Sequence, residues 1–432
     1  MTRLEDFYGR QLVLERIPKE YLKHADEVSA FDKTKKGMLC KRCGQQISVM
    51  WQLPTGNAYC RECLVFGRLT SSDKLYRFKQ QPFSKTDCLV WKGTLTPFQK
   101  EVSQALLEGL SQKKNLLVHA VTGAGKTEMI YETVARVVNE GGAVCIASPR
   151  IDVCLELYRR LRRDFSCDIS LLHGESDPYK RSPLVVATTH QLMTFYQAFD
   201  LVIIDEVDAF PFVDNKALYH AAKEALKESG VSIYLTATST DRLEEKVKKG
   251  ELEVHHLARR FHANPLVVPR PLWLSNLQDK MSKGRLPKSL VTYIKKQRQT
   301  GFPLLLFLPT IAQGKQLAEL LGCYFPNEAI GFVSSQTEDR LEIVEKFRSG
   351  EITVLVSTTI LERGVTFACV DVFVLDSHHR LYSKSALVQI AGRVGRSLER
   401  PVGELLFFHE GQTKAIKKAI REIKEMNRKG GF

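Results

Sequence analysis

The sequence predicts an α/β protein of two parallel-sheet lobes, preceded by a small four-cysteine module. Three observations carry that expectation. Short apolar strands alternate with helical segments from Thr96 onward, which implies parallel sheets covered on both faces. The alternation stops at a proline-rich connector, Asn264-Pro265 to Pro271, and then restarts, which gives two lobes rather than one. Ahead of both, Cys40-Lys41-Arg42-Cys43 and Cys60-Arg61-Glu62-Cys63 form two CxxC units separated by sixteen residues.

At 432 residues the chain is long enough for two or three domains, and 44% apolar residues suffice for their cores. The net charge of +14 favours an anionic partner, nucleic acid being the commonest, although excess lysine also serves solubility. Met1 to Asp6 has no apolar core behind its first charge, so no secretory signal is expected. No run approaches the roughly 20 apolar residues of a membrane span. A cytoplasmic location is the expectation, and its reducing conditions disfavour disulfides.

Residues 1–35 read as helical and carry no motif. The cysteine module occupies 36–70. Each CxxC makes a tight knuckle, and Cys40, Cys43, Cys60 and Cys63 complete a closed, structural zinc site with no open position for catalysis. Gly44 suits the turn after the first pair, and Ser48-Val49-Met50-Trp51 and Ala58-Tyr59 read as short strands of a zinc ribbon. Two redox dithiols are the alternative, but neither pair sits in a βαβ pattern. The other six cysteines, scattered among apolar neighbours, read as small buried hydrophobes. Lys33, Lys35, Lys36, Lys41, Arg42, Arg61 and Arg68 surround the module, with Trp51 and Tyr59 between them. That mixture suits a single nucleic-acid strand, whose bases stack and whose phosphates pair; a solvated basic face around a structural zinc is the other reading.

A polar connector, 71–95, leads to the first lobe, 96–262. Asn115 to His119 reads as a strand and Met129 to Val138 as a helix. Ala120-Val121-Thr122-Gly123-Ala124-Gly125-Lys126-Thr127 lies between them, the context of a phosphate-binding loop. Gly123 and Gly125 let backbone N–H groups turn toward phosphate oxygens, with Thr122 and Ala124 in the same cradle. Lys126 would reach the β- and γ-phosphates of ATP and Thr127 would hold Mg²⁺. Ala120 stands where the general pattern has glycine. Strands at 143–147, 184–187, 201–204 and 232–235 and helices at 151–165 and 216–227 complete the lobe. The strand from Leu201 to Ile204 ends in Asp205-Glu206-Val207-Asp208. Asp205 suits the Mg²⁺ shell and Glu206 the polarisation of an attacking water. Asp208 suits interdomain hydrogen bonding rather than chemistry.

After a connector at 263–285, the second lobe, 286–432, has strands at 304–308, 330–333, 353–356, 372–375 and 404–408. Its helices fall at 316–321, 340–348 and 386–394. It has no phosphate loop, which leaves it free to complete the one ATP site. Thr413 to Arg428 reads as a basic amphipathic helix that packs through Ala415, Ile416, Ile420 and Ile423.

The order of these motifs resembles the superfamily 2 helicases over about 96–410. The resemblance implies two RecA-like lobes. It implies that Gln99, in Leu95-Thr96-Pro97-Phe98-Gln99, reads adenine, and that Pro149-Arg150 and Thr189-His190-Gln191 contact nucleic acid. Thr236-Ala237-Thr238 and Gln389 would couple hydrolysis to lobe movement, and Thr358 to Gly364 would touch both nucleic acid and ATP. Gln389 to Arg396 resembles the arginine-finger motif. Arg393 and Arg396, three apart, would share one face of a helix and reach the γ-phosphate when the lobes close. The acidic box reads Asp-Glu-Val-Asp and the finger motif begins with Gln389 rather than His. Both lean away from RNA helicases with the Asp-Glu-Ala-Asp box and toward DNA translocases such as primosomal and recombination helicases.

In primosomal helicases the zinc cysteines lie within the helicase lobes; here they precede them. A four-cysteine module ahead of a short helicase core resembles the ComFA family of late-competence DNA-uptake proteins. That resemblance implies a cytosolic ATPase using ATP, Mg²⁺ and structural Zn²⁺. It would receive single-stranded DNA from a membrane channel and pass it to cytosolic partners, recruited to the membrane by those partners and not inserted in it. A duplex-unwinding replication-restart or recombination helicase is a rival, but no extra wedge domain is visible. An ATP-switched DNA-binding adaptor is another, against which Glu206, Arg393 and Arg396 count, because a switch need not keep hydrolytic groups.

Overall fold

The structure, a computed structural model, describes residues 3–35, 37–48, 50–363, 365 and 367–432. Lys36, Val49 and Gly364 therefore lie outside the described residues. The chain divides into two compact units, Met1–His119 with Lys126–His256, and Ala120–Gly125 with Leu257–Phe432.

The N-terminal segment is not helical as expected. It forms short 3-10 turns at Leu4–Phe7, Leu14–Arg16 and Lys19–His24, and strands β1 (Gln11–Leu12), β2 (Asp26–Ser29) and β3 (Phe31–Thr34). β4 (Gly37–Cys40) pairs antiparallel with β3, and β5 (Lys74–Arg77) lies between β1 and β2. Gly9 and Pro18 cut residues 1–17 into runs shorter than the roughly 12–15 residues a helix needs to stand alone. Phe7, Leu12 and Ile17 bury instead against Phe78, a partner distant in sequence. The segment is also tied to the first lobe: Gln11 Nε2 donates to the carbonyls of Met193 and Phe195, and Arg10 bridges Phe195.

The first lobe runs α1 (Pro97–Ser111), β6 (Leu116–Ala120), α2 (Lys126–Met129), α3 (Tyr131–Asn139), β7 (Val144–Ser148), α4 (Ile151–Asp164), β8 (Ile169–Leu172), β9 (Leu184–Thr188), β10 (Phe199–Ile204), α5 (Lys216–Ala225), β11 (Leu226–Thr236), α6 (Asp241–Lys248) and β12 (Glu253–Leu257). Its seven-stranded sheet has the order β12-β6-β11-β10-β7-β9-β8, parallel from β6 to β8. β7 and β9 are buried along their whole length and β10 nearly so, which is why continuous Val, Ile, Leu and Ala runs were legible as strands. The edge strands β8 and β12 are half-exposed and less apolar, so periodicity did not reveal them. The expected helix at 216–227 stops at Ala225, because Leu226 already opens β11.

The second lobe runs β13 (Arg270–Trp273), α7 (Leu277–Ser282), α8 (Lys288–Arg298), β14 (Leu304–Phe307), α9 (Ile311–Tyr324), β15 (Ile330–Val333), α10 (Arg340–Ser349), β16 (Val354–Ser357), β17 (Asp371–Val374), α11 (Lys384–Ala391), β18 (Leu405–His409) and α12 (Lys414–Lys429). Its six-stranded parallel sheet has the order β13-β18-β17-β14-β16-β15. β13 contains Pro271 and lies in what the sequence marks as connector; proline is tolerated there because the strand is at a sheet edge. α12 buries Ile416 and Ile423 as expected, but Ala419 and Met426 in place of Ala415 and Ile420. Among the described residues no helix is long and apolar enough to cross a membrane.

Candidate nucleotide, zinc and nucleic-acid sites

The order of the first sheet places the ends of β6, β11 and β10 side by side, about 4.8 Å apart. β6 delivers the phosphate loop, β11 delivers Thr236 and β10 delivers Asp205. Gly123 and Gly125 have φ of +79° and +73°, a left-handed conformation that only glycine adopts readily. Lys126 opens α2, and its Nζ lies 3.8 Å from Asp205 Oδ1. A cation and a carboxylate are thus neighbours at the start of α2, a donor set that fits a Mg²⁺–nucleotide, with Thr127 in the first turn of the same helix. Glu206 follows with φ +55° and donates its backbone N–H to Asp205 Oδ1 at 2.8 Å. Holding a non-glycine residue there costs on the order of 1–3 kcal/mol.

Asp208, expected in interdomain hydrogen bonding, accepts a hydrogen bond from Thr238 Oγ1 at 2.6 Å. Thr238 N donates to Thr236 Oγ1, which donates to the Thr238 carbonyl, and His119 Nε2 lies 3.1 Å from the Ala237 carbonyl. The Thr236-Ala237-Thr238 segment is therefore wired to the acidic box. Gln99 is buried, and its Oε1 accepts from Thr96 N at 2.9 Å in a capping box that starts α1.

Of the expected nucleic-acid contacts, Arg150 precedes α4 and its Nη2 lies 3.9 Å from Asp152 Oδ2, with Pro149 before it. His190 and Gln191 are half-buried in the 3-10 turn after β9, while Thr189 beside them has no exposed surface. Burial pushes the His190 pKa down, and nearby Glu62 opposes it weakly. Thr358 is buried, and Gly364 lies outside the described residues. Gln389 is buried in α11. That helix ends at Ala391; Arg393 lies in the turn that follows and Arg396 just past it, so the two do not share a helical face. Arg393 is buried, and Arg396 Nε donates to the Gly392 carbonyl at 2.7 Å.

Two arginines find hydrogen-bond partners that the sequence did not specify. Arg363 is buried, and its Nη2 donates to Ser385 Oγ at 2.7 Å, tying its loop to α11. Arg260 is buried, and its Nη1 donates to the carbonyls of Val394, at 2.8 Å, and Gly395. Burial lowers its pKa to about 9, and neighbouring Arg396 adds to the effect. A lone arginine in the loop after β12 carries no sequence signal for such a bond.

The sulfurs of Cys40, Cys43, Cys60 and Cys63 all lie within 4.8 Å of one another and are buried. Cys40–Cys63 and Cys43–Cys60 are 3.7 and 3.5 Å apart. Zinc–sulfur bonds of about 2.3 Å imply tetrahedral edges of about 3.8 Å, so the cluster fits Zn²⁺. Four thiolates this close cannot all ionise without a cation among them. The expected ribbon strands are absent among the described residues; Ala58 and Tyr59 make only single bridges, to Gln52 and Thr70. Arg42, expected on the basic face, is fully buried and clamps the carbonyls of Cys63, Phe66 and Gly67. Lys41 pairs with Asp32 at 3.0 Å. Of the other cysteines only Cys88, Cys145 and Cys154 are buried; Cys167 and Cys369 are half-buried and Cys323 is exposed.

The chain matches the family described as competence protein ComFA N-terminal domain over residues 3–77. It matches the DEAD/DEAH box helicase family over 96–246 and the helicase conserved C-terminal domain over 285–397. It is similar to competence protein ComFA of Streptococcus pneumoniae (strain ATCC BAA-255 / R6), 59% identical over 427 residues that cover 99% of each chain. It is similar to competence protein ComFA of Bacillus subtilis (strain 168), 37% identical over 99% of this chain and 93% of the relative. Among solved structures it resembles Mycobacterium smegmatis helicase Lhr bound to ssDNA and AMP-PNP, with a TM-score of 0.54 and 17% identity over 78% of this chain and 50% of that one. That likeness concerns the fold alone.

Proposed function

Because this chain belongs to the ComFA family of competence-related superfamily 2 helicases, we propose that it is a DNA-dependent ATPase that moves along, or pulls on, single-stranded DNA. The observation that supports this best is the adjacency of Lys126, Asp205 and the Thr236–Thr238 segment at neighbouring strand ends. ATP binds at Thr122 to Thr127 with Gln99 reading the base. Thr127 and Asp205 would hold Mg²⁺, which would supply positive charge beside the phosphates. Glu206 orients the attacking water, and Arg393 and Arg396 supply positive charge to the γ-phosphate. Asp208, hydrogen-bonded to Thr238, relays a change at the acidic box to the threonine segment. Single-stranded DNA is contacted from Arg150, His190, Gln191 and the loop that begins at Thr358. The cysteine module holds structural zinc. The strand is received from membrane-channel proteins and passed to cytosolic ones, on the inner face of the membrane.

The test is ATP hydrolysis by the purified protein alone and with single-stranded DNA, duplex DNA or RNA. Stimulation by single-stranded DNA supports the motor. Stimulation by duplex favours a replication-restart helicase, and no turnover favours an ATP-switched adaptor. A sharper expectation concerns the relay. Thr238→Val should leave DNA-free turnover nearly intact while cutting the DNA-stimulated part about five- to tenfold, the scale of an ordinary coupling energy. Equal stimulation of mutant and wild type would refute the relay.

A further inference from the structure

A groove of about 970 Å³ lies between α5 and α6, over Val202 of β10 and Tyr234 of β11. It reaches Asn115, where β6 begins, so it opens away from the phosphate loop at the other end of that strand. Lys216 and Lys223 project from α5, and Arg242 and Lys246 from α6. None of these four has a carboxylate within 4.0 Å among the described residues, whereas the fifth lining cation, Lys227, pairs with Asp200 at 2.8 Å. Glu224, on the same lining, faces Arg77 at 3.9 Å, which leaves Glu228 and Glu251 as the opposing acids.

Two of the cations are fixed by aromatic rings. The Arg242 guanidinium carbon lies 3.7 Å from the Tyr219 ring centre, and Lys246 Nζ lies 5.6 Å from Tyr219 and 5.7 Å from Tyr234. Burial pushes the Lys246 pKa down, so its charge is poorly solvated and an anion would stabilise it. The faces of Tyr219 and Tyr234 are occupied by these cations and offer no open platform for a base. What the groove presents is charge, along a channel larger than a single phosphate needs. The helix α5 also seats the zinc module: His220 Nε2 lies 3.2 Å from the Lys41 carbonyl, and Gly44 abuts the His220 ring so closely that any side chain there would collide with it.

We propose that this groove binds the sugar-phosphate backbone of single-stranded DNA, without base preference, as a second contact remote from the strand-end motifs. The inference rests on the DNA reading above and adds a site to it. It is tested on the full-length, zinc-loaded protein with fluorescent oligo(dT) and oligo(dA). Lys216→Glu with Lys223→Glu alters two exposed positions and spares the core; Arg242→Gln with Lys246→Gln is the companion. Each pair weakens binding about tenfold and flattens the dependence of log affinity on log salt by about 0.7 per cation removed. Oligo(dT) and oligo(dA) lose affinity equally, and DNA-free ATP turnover is unchanged. In the wild type, saturating DNA protects Lys223 and Lys246 from acetylation, read by mass spectrometry. Unprotected lysines and an unchanged salt slope, in a protein that binds DNA and is stimulated by it, overturn the groove and leave the motor reading standing. A wild type that binds no DNA overturns the motor reading and the groove with it. Equal protection by free ATP overturns the strand assignment in favour of a small-nucleotide site.

Discussion

Lys126→Ala should lower ATP turnover at least about 10²–10³-fold, the loss that follows removal of a preorganised charge from a developing transition state. The ammonium sits at the start of α2, 3.8 Å from Asp205, and no other lysine belongs to the loop that runs from Ala120 to Thr127. Lys126→Arg should be nearly as inactive, because a planar guanidinium does not replace a compact ammonium in so tight a cradle. Binding of single-stranded DNA without nucleotide should stay within about twofold of wild type, because the expected strand contacts come from other segments. A coupled ATPase assay and fluorescence anisotropy on the same preparation read both quantities. Turnover close to wild type in Lys126→Ala would remove the loop from the mechanism.

Cys40→Ser should empty the zinc site, since a structural zinc depends on its full set of thiolates and contributes apparent binding energy of about 10–16 kcal/mol in comparable sites. From sequence, only the N-terminal module is expected to weaken. The structure widens the effect. One continuous core cluster contains the four cysteines, Phe31, Phe66 and Leu75 together with Phe195, Phe199 and Leu218 of the first lobe. Loss of zinc should therefore lower the melting temperature of the first unit, by about 2–4 °C for each kcal/mol lost, and leave the second unit's transition in place. The second lobe buries a separate cluster built on Leu277, Leu290, Leu306 and Phe373. Metal analysis and calorimetry check the two halves of this expectation. Full zinc content would refute the four-thiolate site, and an unmoved first transition would refute the shared core.

Chemistry carried by near neighbours in the chain was legible from the sequence alone. The phosphate loop, the strand ending in Asp205 and Glu206, and both CxxC knuckles are each held within a few residues, where glycine, apolar runs and tight turns determine the local geometry. The central strands were legible for the same reason, since burial on both faces demands an unbroken apolar run. Arrangement was not legible. The N-terminal segment folds into strands because Phe7, Leu12 and Ile17 find Phe78. Thr236 reaches the acidic box because β11 inserts between β6 and β10. Asp208 finds Thr238 thirty residues away, Arg363 finds Ser385, and Arg42 turns inward to three carbonyls rather than out to solvent. The four cations between α5 and α6 that lack a carboxylate neighbour among the described residues come from two separate helices. Motif residues act through neighbours that the chain supplies directly. Sheet order, and the partner of each buried polar group, depend on which distant surfaces exclude water together, and that is settled only when the whole core closes.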